Sequence, residues 1–203
     1  AVLLKVFAKV NPIKFFKKIL PAQIVAFSTQ SSAGTLPVAT EILTDKIGVS
    51  GKVANVTTPL GTTIGMPGCA GIWPILVSLY GIYGLGINFS LTDYITLVVV
   101  ALFVSFGTAG VPGTATVTTA SVLTVMGLPL ELIVLTIPIS ALADTGRTAT
   151  NITGAMVSAT IVARQEDSLD DEIFEKEGVE SYRKYQTEHE ADILKPGPGF
   201  PLI

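Results

Sequence analysis

Charge is what this 203-residue sequence has least of: Asp, Glu, Lys and Arg together make 14% of it, where soluble domains carry roughly a quarter. From Val53 to Ala163 the only charged residues are Asp93, Glu131, Asp144 and Arg147, which excludes a soluble globule. Cysteine is equally scarce. Cys69 stands alone, so an internal disulfide and any multi-cysteine metal site are excluded. The single histidine, His189, falls in the charged C-terminal region, which removes the base that intramembrane serine proteolysis needs. An aspartyl dyad lacks its second membrane aspartate, because Asp144 stands alone in mid-span, and Gly107-Thr108-Ala109-Gly110 lacks the spacing of a dinucleotide-binding turn. The net charge of −3 comes from acidic residues gathered after Ala163, and nucleic-acid binding is unsupported.

What is present is an apolar chain (49%) with 19 Gly and 12 Pro, a mixture that membrane helices tolerate. The composition predicts an all-α membrane protein. Residues 1–20, with Lys5, Lys9, Lys14, Lys17 and Lys18, read as the end of a preceding helix and a basic cytoplasmic stretch. The chain starts without Met or a signal-peptide pattern and reads as a piece lacking its N-terminal part. Residues 21–48 hold two half-length apolar arms around a Ser/Gly/Pro tip at residues 28–37, the pattern of a re-entrant hairpin. Residues 49–86 form a span broken at Gly65-Met66-Pro67-Gly68-Cys69. Residues 87–128 form a second hairpin around Gly107 to Gly113, and residues 129–164 a long span carrying Asp144, Arg147 and Asn151. Residues 165–203 read as a solvated, charged tail with one short helix.

Lys14, Lys17, Lys18, Lys46, Lys52 and Arg164 flank one side of these spans, and the loops near residues 84–93 and 127–131 contain no basic residue. The positive-inside rule puts the basic group and the C-terminus in the cytoplasm of a multi-pass plasma-membrane protein. Ser32-Ala33-Gly34-Thr35-Leu36-Pro37 is echoed by Thr108-Ala109-Gly110-Val111-Pro112. A hairpin followed by an interrupted span therefore occurs twice, with opposite topology, which is the inverted-repeat plan of secondary transporters. Irregular backbone at that depth must be buried in protein or face a water-filled cavity.

Asp144 and Arg147 carry the sharpest chemical signal, since a charge at the centre of a membrane helix costs roughly 2.5–3.5 kcal/mol even on the mild insertion scale. With Thr148 and Asn151 they occupy one helical stripe. Two readings stand: a mutual ion pair, or a trap in which Asp144 takes an ammonium and Arg147 a carboxylate. The tips at Ser31-Ser32-Ala33-Gly34 and Gly107 to Gly113 offer free backbone groups and hydroxyls that suit a carboxylate and a cation. Gly61 and Gly65 form a GxxxG suited to close helix packing. Trp73, Tyr80, Tyr83 and Tyr94 read as interface or packing aromatics, and Cys69 as an inert thiol beside the break. The rival function is a passive anion or solute channel.

Four motifs in order, Gln30-Ser31-Ser32-Ala33-Gly34-Thr35-Leu36-Pro37, Pro59-Leu60-Gly61-Thr62-Thr63-Ile64, Gly107-Thr108-Ala109-Gly110-Val111-Pro112-Gly113 and Asp144-Thr145-Gly146-Arg147-Thr148-Ala149-Thr150-Asn151, resemble the dicarboxylate/amino acid:cation symporters of the glutamate-transporter family. The resemblance implies the C-terminal transport core of a cation-coupled symporter that works by elevator-type alternating access as a homotrimer in the lipid bilayer. The implied substrate is a small anionic amino acid, a dicarboxylate or L-cystine; no cofactor is implied beyond a coupling ion, Na+ or H+. Arg147 is implied to bind a side-chain carboxylate, Asp144 the amino group, and Asn151 with Ser31 and Ser32 the α-carboxylate. Thr148, Val111 and Gly113 complete the substrate set, with Gly107 to Gly113 as extracellular gate. The implied cation ligands are Thr62, Thr63, Gly65, Met66 and Asn151. Two ion-site aspartates of the family are Pro67 and Ala155 here, and the family's ligand threonine is Cys69. Gly68-Cys69-Ala70-Gly71 is similar to the cystine-uptake branch.

Overall fold

A computed structural model describes residues 1–106, 108 and 110–176, and no β-strand occurs among them. After a π-helical turn at Leu4–Ala8, helix α1 (Pro12–Thr29) begins where Asn11 accepts hydrogen bonds from the Ile13 and Lys14 amides and Pro12 takes the first helical position. Its buried residues Phe15, Ile19, Ala22 and Ala26 keep a helical period. Gln30, in the left-handed region at φ 52°, ends α1, and Ser31 caps α2 (Ser32–Ile42) by accepting from the Gly34 amide. Only Gln30 and Ser31 lie outside the two helices, so the expected tip at residues 28–37 shrinks to two residues. The Ser31 cap starts the helix early, and Pro37, inside α2, forfeits one backbone bond without ending it. The first arm of this helix pair starts at Pro12, so the boundary placed between residues 20 and 21 falls inside a helix.

A π-helical segment, Leu43–Ile47, ends at Gly48 and leads into α3 (Gly51–Ile64). The chain then leaves helical geometry at Gly65 and Met66, resumes as a π-helical segment at Pro67–Ile72, and continues as α4 (Trp73–Gly84). This is the expected broken span. The second pair follows: α5 (Leu91–Ser105), opened by a reciprocal Ser90/Asp93 capping box, and α6 (Thr114–Val125), which starts after Gly113 at φ 86°. Gly107 and Ala109 of its tip lie outside the described residues. Helix α7 (Glu131–Gln165) is unbroken over 35 residues, about 52 Å at 1.5 Å per residue. The two repeats thus differ, one ending in a broken helix and the other in a continuous one. The Gly51–Gly84 segment and α7 are each long and apolar enough to cross a membrane.

Two apolar clusters organise these helices. One joins α1, α2, the start of α3 and the C-terminal half of α7 through Phe15, Ile19, Ile42, Leu43, Ile152 and Met156. The other joins α4, α5, α6 and the start of α7 through Val77, Ile82, Leu97, Val122, Leu123 and Leu132. Helix α7 belongs to both, and α3 packs on it at a point where a Cβ on Gly61 would lie 2.6 Å from the Ala155 Cβ. Close approach at Gly61 is what the GxxxG pattern anticipates.

The expected solvated tail is corrected in its first part. Residues 166–176 fold back on the body, with helix α8 (Asp171–Glu175) capped by Asp170 and Phe174 buried in the first cluster. Phe174 supplies the apolar side chain that draws an otherwise charged segment inward. Residues 177–203, with His189 and the Pro-Gly run, lie outside the described residues. Arg164 donates to both carboxylate oxygens of Asp171 and holds that carboxyl below the usual carboxylate range.

Two outcomes follow from these contacts. Gly61→Ala forces a methyl against Ala155 and is expected to lower stability by about 1–3 kcal/mol; Gly84→Ala, where a Cβ meets nothing within 4 Å, serves as a neutral control in the same thermal-melting assay. Because the folded Asp171 value is depressed, its contribution is present above the ordinary aspartate value of 3.8 and is lost as pH falls through the folded value. Hydrogen-exchange protection of residues 168–176 should accordingly hold from neutrality down to that range and decline below it.

Candidate functional site

The two apolar clusters leave a polar layer between them, where the broken segment meets the middle of α7. A broken helix frees backbone groups that need partners inside the protein. Asn151, 1% exposed, supplies them: its Oδ1 accepts from the Gly68 amide at 2.9 Å and its Nδ2 donates to the Cys69 sulfur at 3.2 Å. The Cys69 thiol lies 3.5 Å from Asp144 Oδ1, and the Cys69 carbonyl accepts from Thr118 Oγ1 at 3.0 Å. Gly68 is required by packing, because a Cβ there would sit 3.1 Å from the Arg147 Cα, Cβ and carbonyl oxygen.

Arg147 and Asp144 form an ion pair at 3.1 Å, with side chains 10% and 13% exposed. The mutual-pair reading therefore describes a real contact, but that contact does not satisfy the guanidinium. Arg147 Nη2 donates to Asp144 Oδ1 and also meets the Ser140 carbonyl at 3.0 Å and hydroxyl at 3.1 Å. Arg147 Nε and Nη1 are buried without a partner, a state that acceptor oxygens relieve. The guanidinium also lies 4.2 Å from the Trp73 ring centroid, within cation–π range. Beside this pair is a cavity of about 180 Å³ lined by Gln30, Gly113, Thr116, Ser140, Asp144 and Arg147 among others.

The two tips meet next to the polar layer. The Ala33 amide donates to the Gly110 carbonyl at 3.0 Å, and Ser31 Oγ approaches the same oxygen at 3.4 Å. A Cβ on Gly110 would lie 2.9 Å from the Thr62 carbonyl oxygen and 3.0 Å from Ser32 Cβ, so only glycine fits between the first tip and α3.

Of the residues expected to bind substrate, Asp144, Arg147 and Gly113 line the cavity. Ser31 and Ser32 sit at the tip contact, and Thr148 and Asn151 are buried on the α7 stripe. Val111 turns its side chain outward, half exposed, while its carbonyl accepts from the Thr114 amide and hydroxyl. The expected cation set is not gathered in one place. Thr62 and Thr63 both donate to the Pro59 carbonyl; Thr62 is buried beside Gly110 and Thr63 is exposed. Asn151 is committed to Gly68 and Cys69, the Gly65 amide donates to the Gly61 carbonyl, and the buried Met66 accepts from the Ala70 amide through its carbonyl. Ala155, where the resemblance implies an aspartate, is filled by Gly61. Among the described residues no three His, Cys, Asp or Glu side chains cluster to hold a metal.

Three residues at the site were not anticipated. Ser140 lies one step back along the same stripe, at i, i+4, i+7, i+11 with Asp144, Arg147 and Asn151, so extending the period would have found it. Gln30 precedes the tip serines and donates from Nε2 to the Ala141 carbonyl at 3.2 Å. Trp73, expected as a packing or interface aromatic, instead covers one face of Arg147; nothing in the local pattern signals that, because the contact depends on the turn of the Pro67–Ile72 segment.

Comparison with known proteins gives a match to the sodium:dicarboxylate symporter family model over residues 1–165. A 5'-nucleotidase model matches residues 150–203; those residues comprise the end of α7, the docked segment and the part outside the described residues, which is too little of the chain to assign a family. The chain is similar to an uncharacterized symporter of Haemophilus influenzae, 45% identical over 159 residues, covering 78% of this chain and 36% of that protein. It is also similar to the L-cystine uptake protein TcyP of Bacillus thuringiensis, 37% identical over 168 residues (82% and 36%), and of Shouchella clausii, 38% identical over 165 residues (81% and 35%). The chain spans little more than a third of the length of these curated relatives.

The Asn151 bridge yields a direct test. Asn151→Ala leaves the buried Gly68 amide without an acceptor, a loss of about 1–3 kcal/mol, and should lower the melting temperature of the purified protein. Asn151→Asp keeps the acceptor and should retain more of that stability.

Proposed function

The chain belongs to the sodium:dicarboxylate symporter family, and from that membership and the chemistry of its polar layer we propose that it forms the substrate-binding part of a cation-coupled carrier in the plasma membrane. The substrate presents a carboxylate and an ammonium: an acidic amino acid, or L-cystine as suggested by the TcyP relatives, with dicarboxylates as the remaining class. The observation that carries the reading is Arg147, buried, covered on one face and left with two unpaired N–H groups beside a cavity. An idle structural pair has no need of that arrangement, since breaking even with apolar packing requires its hydrogen bonds to be filled.

Binding then works by exchange. A substrate carboxylate takes Nε or Nη1 of Arg147 together with the adjoining Nη2, and the substrate ammonium takes the Asp144 oxygen released from Arg147. Charge in the dry layer stays balanced before and after, so a zwitterion enters at lower cost than an anion alone. The tips, in contact at Ala33 and Gly110, are the two gates, and their separation in turn gives elevator-type alternating access within a homotrimer whose cytoplasmic side carries the lysines and the C-terminus. Coupling to sodium is weaker than a carboxylate-rich site would give, with protons contributing, because Pro67 and Ala155 supply no hard anionic ligand and Thr62, Asn151 and backbone carbonyls are neutral donors.

The test is uptake by the complete protein in vesicles, with aspartate, succinate and cystine as competitors and sodium or pH gradients imposed separately. Arg147→Cys, once shown to insert and fold, should lose about 2–5 kcal/mol of carboxylate recognition, roughly thirtyfold to several-thousandfold in affinity. An inserted Arg147→Cys carrier that keeps the affinity of the original substrate would overturn the assignment, and steep dependence on several sodium ions would overturn the coupling proposal.

A further inference from the structure

The docking of residues 166–176 plays no part in the site, yet it involves a group of contacts that a passive tail has no use for. The segment leaves α7 at Gln165 and runs across the end of the first helix pair opposite its tip. On α7 it is held by the Arg164–Asp171 ion pair, while Arg164 Nε donates to the Ala8 carbonyl at 2.8 Å. Against the chain that follows α2, the Ser50 amide donates to the Ser168 carbonyl at 3.0 Å, the Asp170 amide donates to the Gly48 carbonyl at 2.8 Å, and Val49 pairs with Leu169 as an antiparallel bridge. Gly48 has φ 87°, and a Cβ there would collide with the Asp170 carbonyl.

Against α1 the contacts are ionic. Lys18 Nζ donates to the carbonyls of Lys46, Ile173, Phe174 and Lys176 at 2.6–3.1 Å, which links the chain after α2 to the C-terminal end of α8. The carbonyls at a helix C-terminus lack intrahelical partners and attract a cation. Lys14 Nζ donates to the Glu175 carboxylate at 2.9 Å and to its carbonyl, and both lysines lie over the ring of Phe174. Phe174 is 1% exposed.

We propose that residues 166–176 are a clasp that fixes the base of the α1–α2 pair to α7, so that the tip of the pair leaves Gly110 only when the clasp releases. The geometry carries this directly. Helix α1 is a lever of 18 residues, about 27 Å long, held at one end by Lys14 and Lys18 and ending at the other in the Gln30–Ser31 tip. With both arms tied at the base and joined by two residues at the tip, the pair swings only by turning about that base. Clasped, the first pair, α3 and the second half of α7 move as one body. The second pair has no comparable tie among the described residues, so it is the freer of the two gates. The proposal holds whichever substrate the site takes.

The experiment uses the complete protein in nanodiscs with Ser32→Cys as reporter, Ser32 being buried at the tip, and reads thiol labelling on the Ser32 peptide by mass spectrometry so that Cys69 does not interfere. Lys18→Met, Phe174→Ala and Gly48→Ala loosen the clasp from three sides, and Lys52→Met, an exposed lysine outside it, is the control. Each loosening variant is expected to raise the labelling rate about tenfold, the scale of one lost charge-assisted hydrogen bond, together with faster hydrogen exchange at 168–176. A second measurement needs no variant at those positions: in the unmodified protein the Ala33 amide, bonded to Gly110, should exchange no faster than the Asp170 amide, bonded to Gly48. Released clasps with unchanged Ser32 labelling, or an Ala33 amide that opens more readily than Asp170, would overturn the proposal. Neither readout requires transport, so failure of the carrier assignment is seen separately, as absence of uptake by the unmodified protein.

Discussion

The requirement that interrupted backbone be satisfied inside an apolar body governs the centre of this molecule. Gly65 and Met66 leave helical geometry between two long apolar helices, and the amide and carbonyl groups freed there have no water-filled alternative at that depth. Asn151 and Thr118 answer for Gly68 and Cys69. Because those partners come from α7 and α6, the break dictates where the second half of the chain must lie. The charged pair then follows from the same placement, one turn before Asn151 on α7, with the Gly68 backbone pressed against Arg147.

This explains why the apolar packing is divided. A single continuous core would have to bury the break without partners, whereas two clusters with a polar layer between them let every element contribute an apolar end and a polar end. Helix α7 pays the largest share of that compromise: its ends belong to different clusters and its middle carries Asp144, Arg147 and Asn151. The small residues along it, such as Ala155 and Ala159, allow α3 and α1 to approach closely enough to keep the layer dry.

Much of this was legible in the sequence because the signals are local. The break at Gly65 to Cys69 is written in glycine and proline, the long helix in an apolar run, and the stripe from Asp144 to Asn151 in its spacing. The tip of the first pair was drawn too wide because Gly34 and Pro37 read as turn residues, while the cap at Ser31 starts a helix through both. What was not legible depends on distant pieces meeting. Trp73 over Arg147 and Gln30 at the cavity rest on how the broken segment and the first tip turn. The docking of residues 166–176 rests on one aromatic, Phe174, among charges whose density suggested solvent.

The contact between Gly61 and Ala155 has a historical meaning as well as a structural one. Glycine is already the smallest residue, so α3 has no further atom to give up, and a longer acidic side chain at position 155 has to part the two helix axes or find another exit. An ancestor or descendant with a carboxylate there is therefore separated from this chain by more than one substitution. Reacquiring it is a coupled change in which the helix spacing must alter first, and the present arrangement is a local one-way step in sequence space.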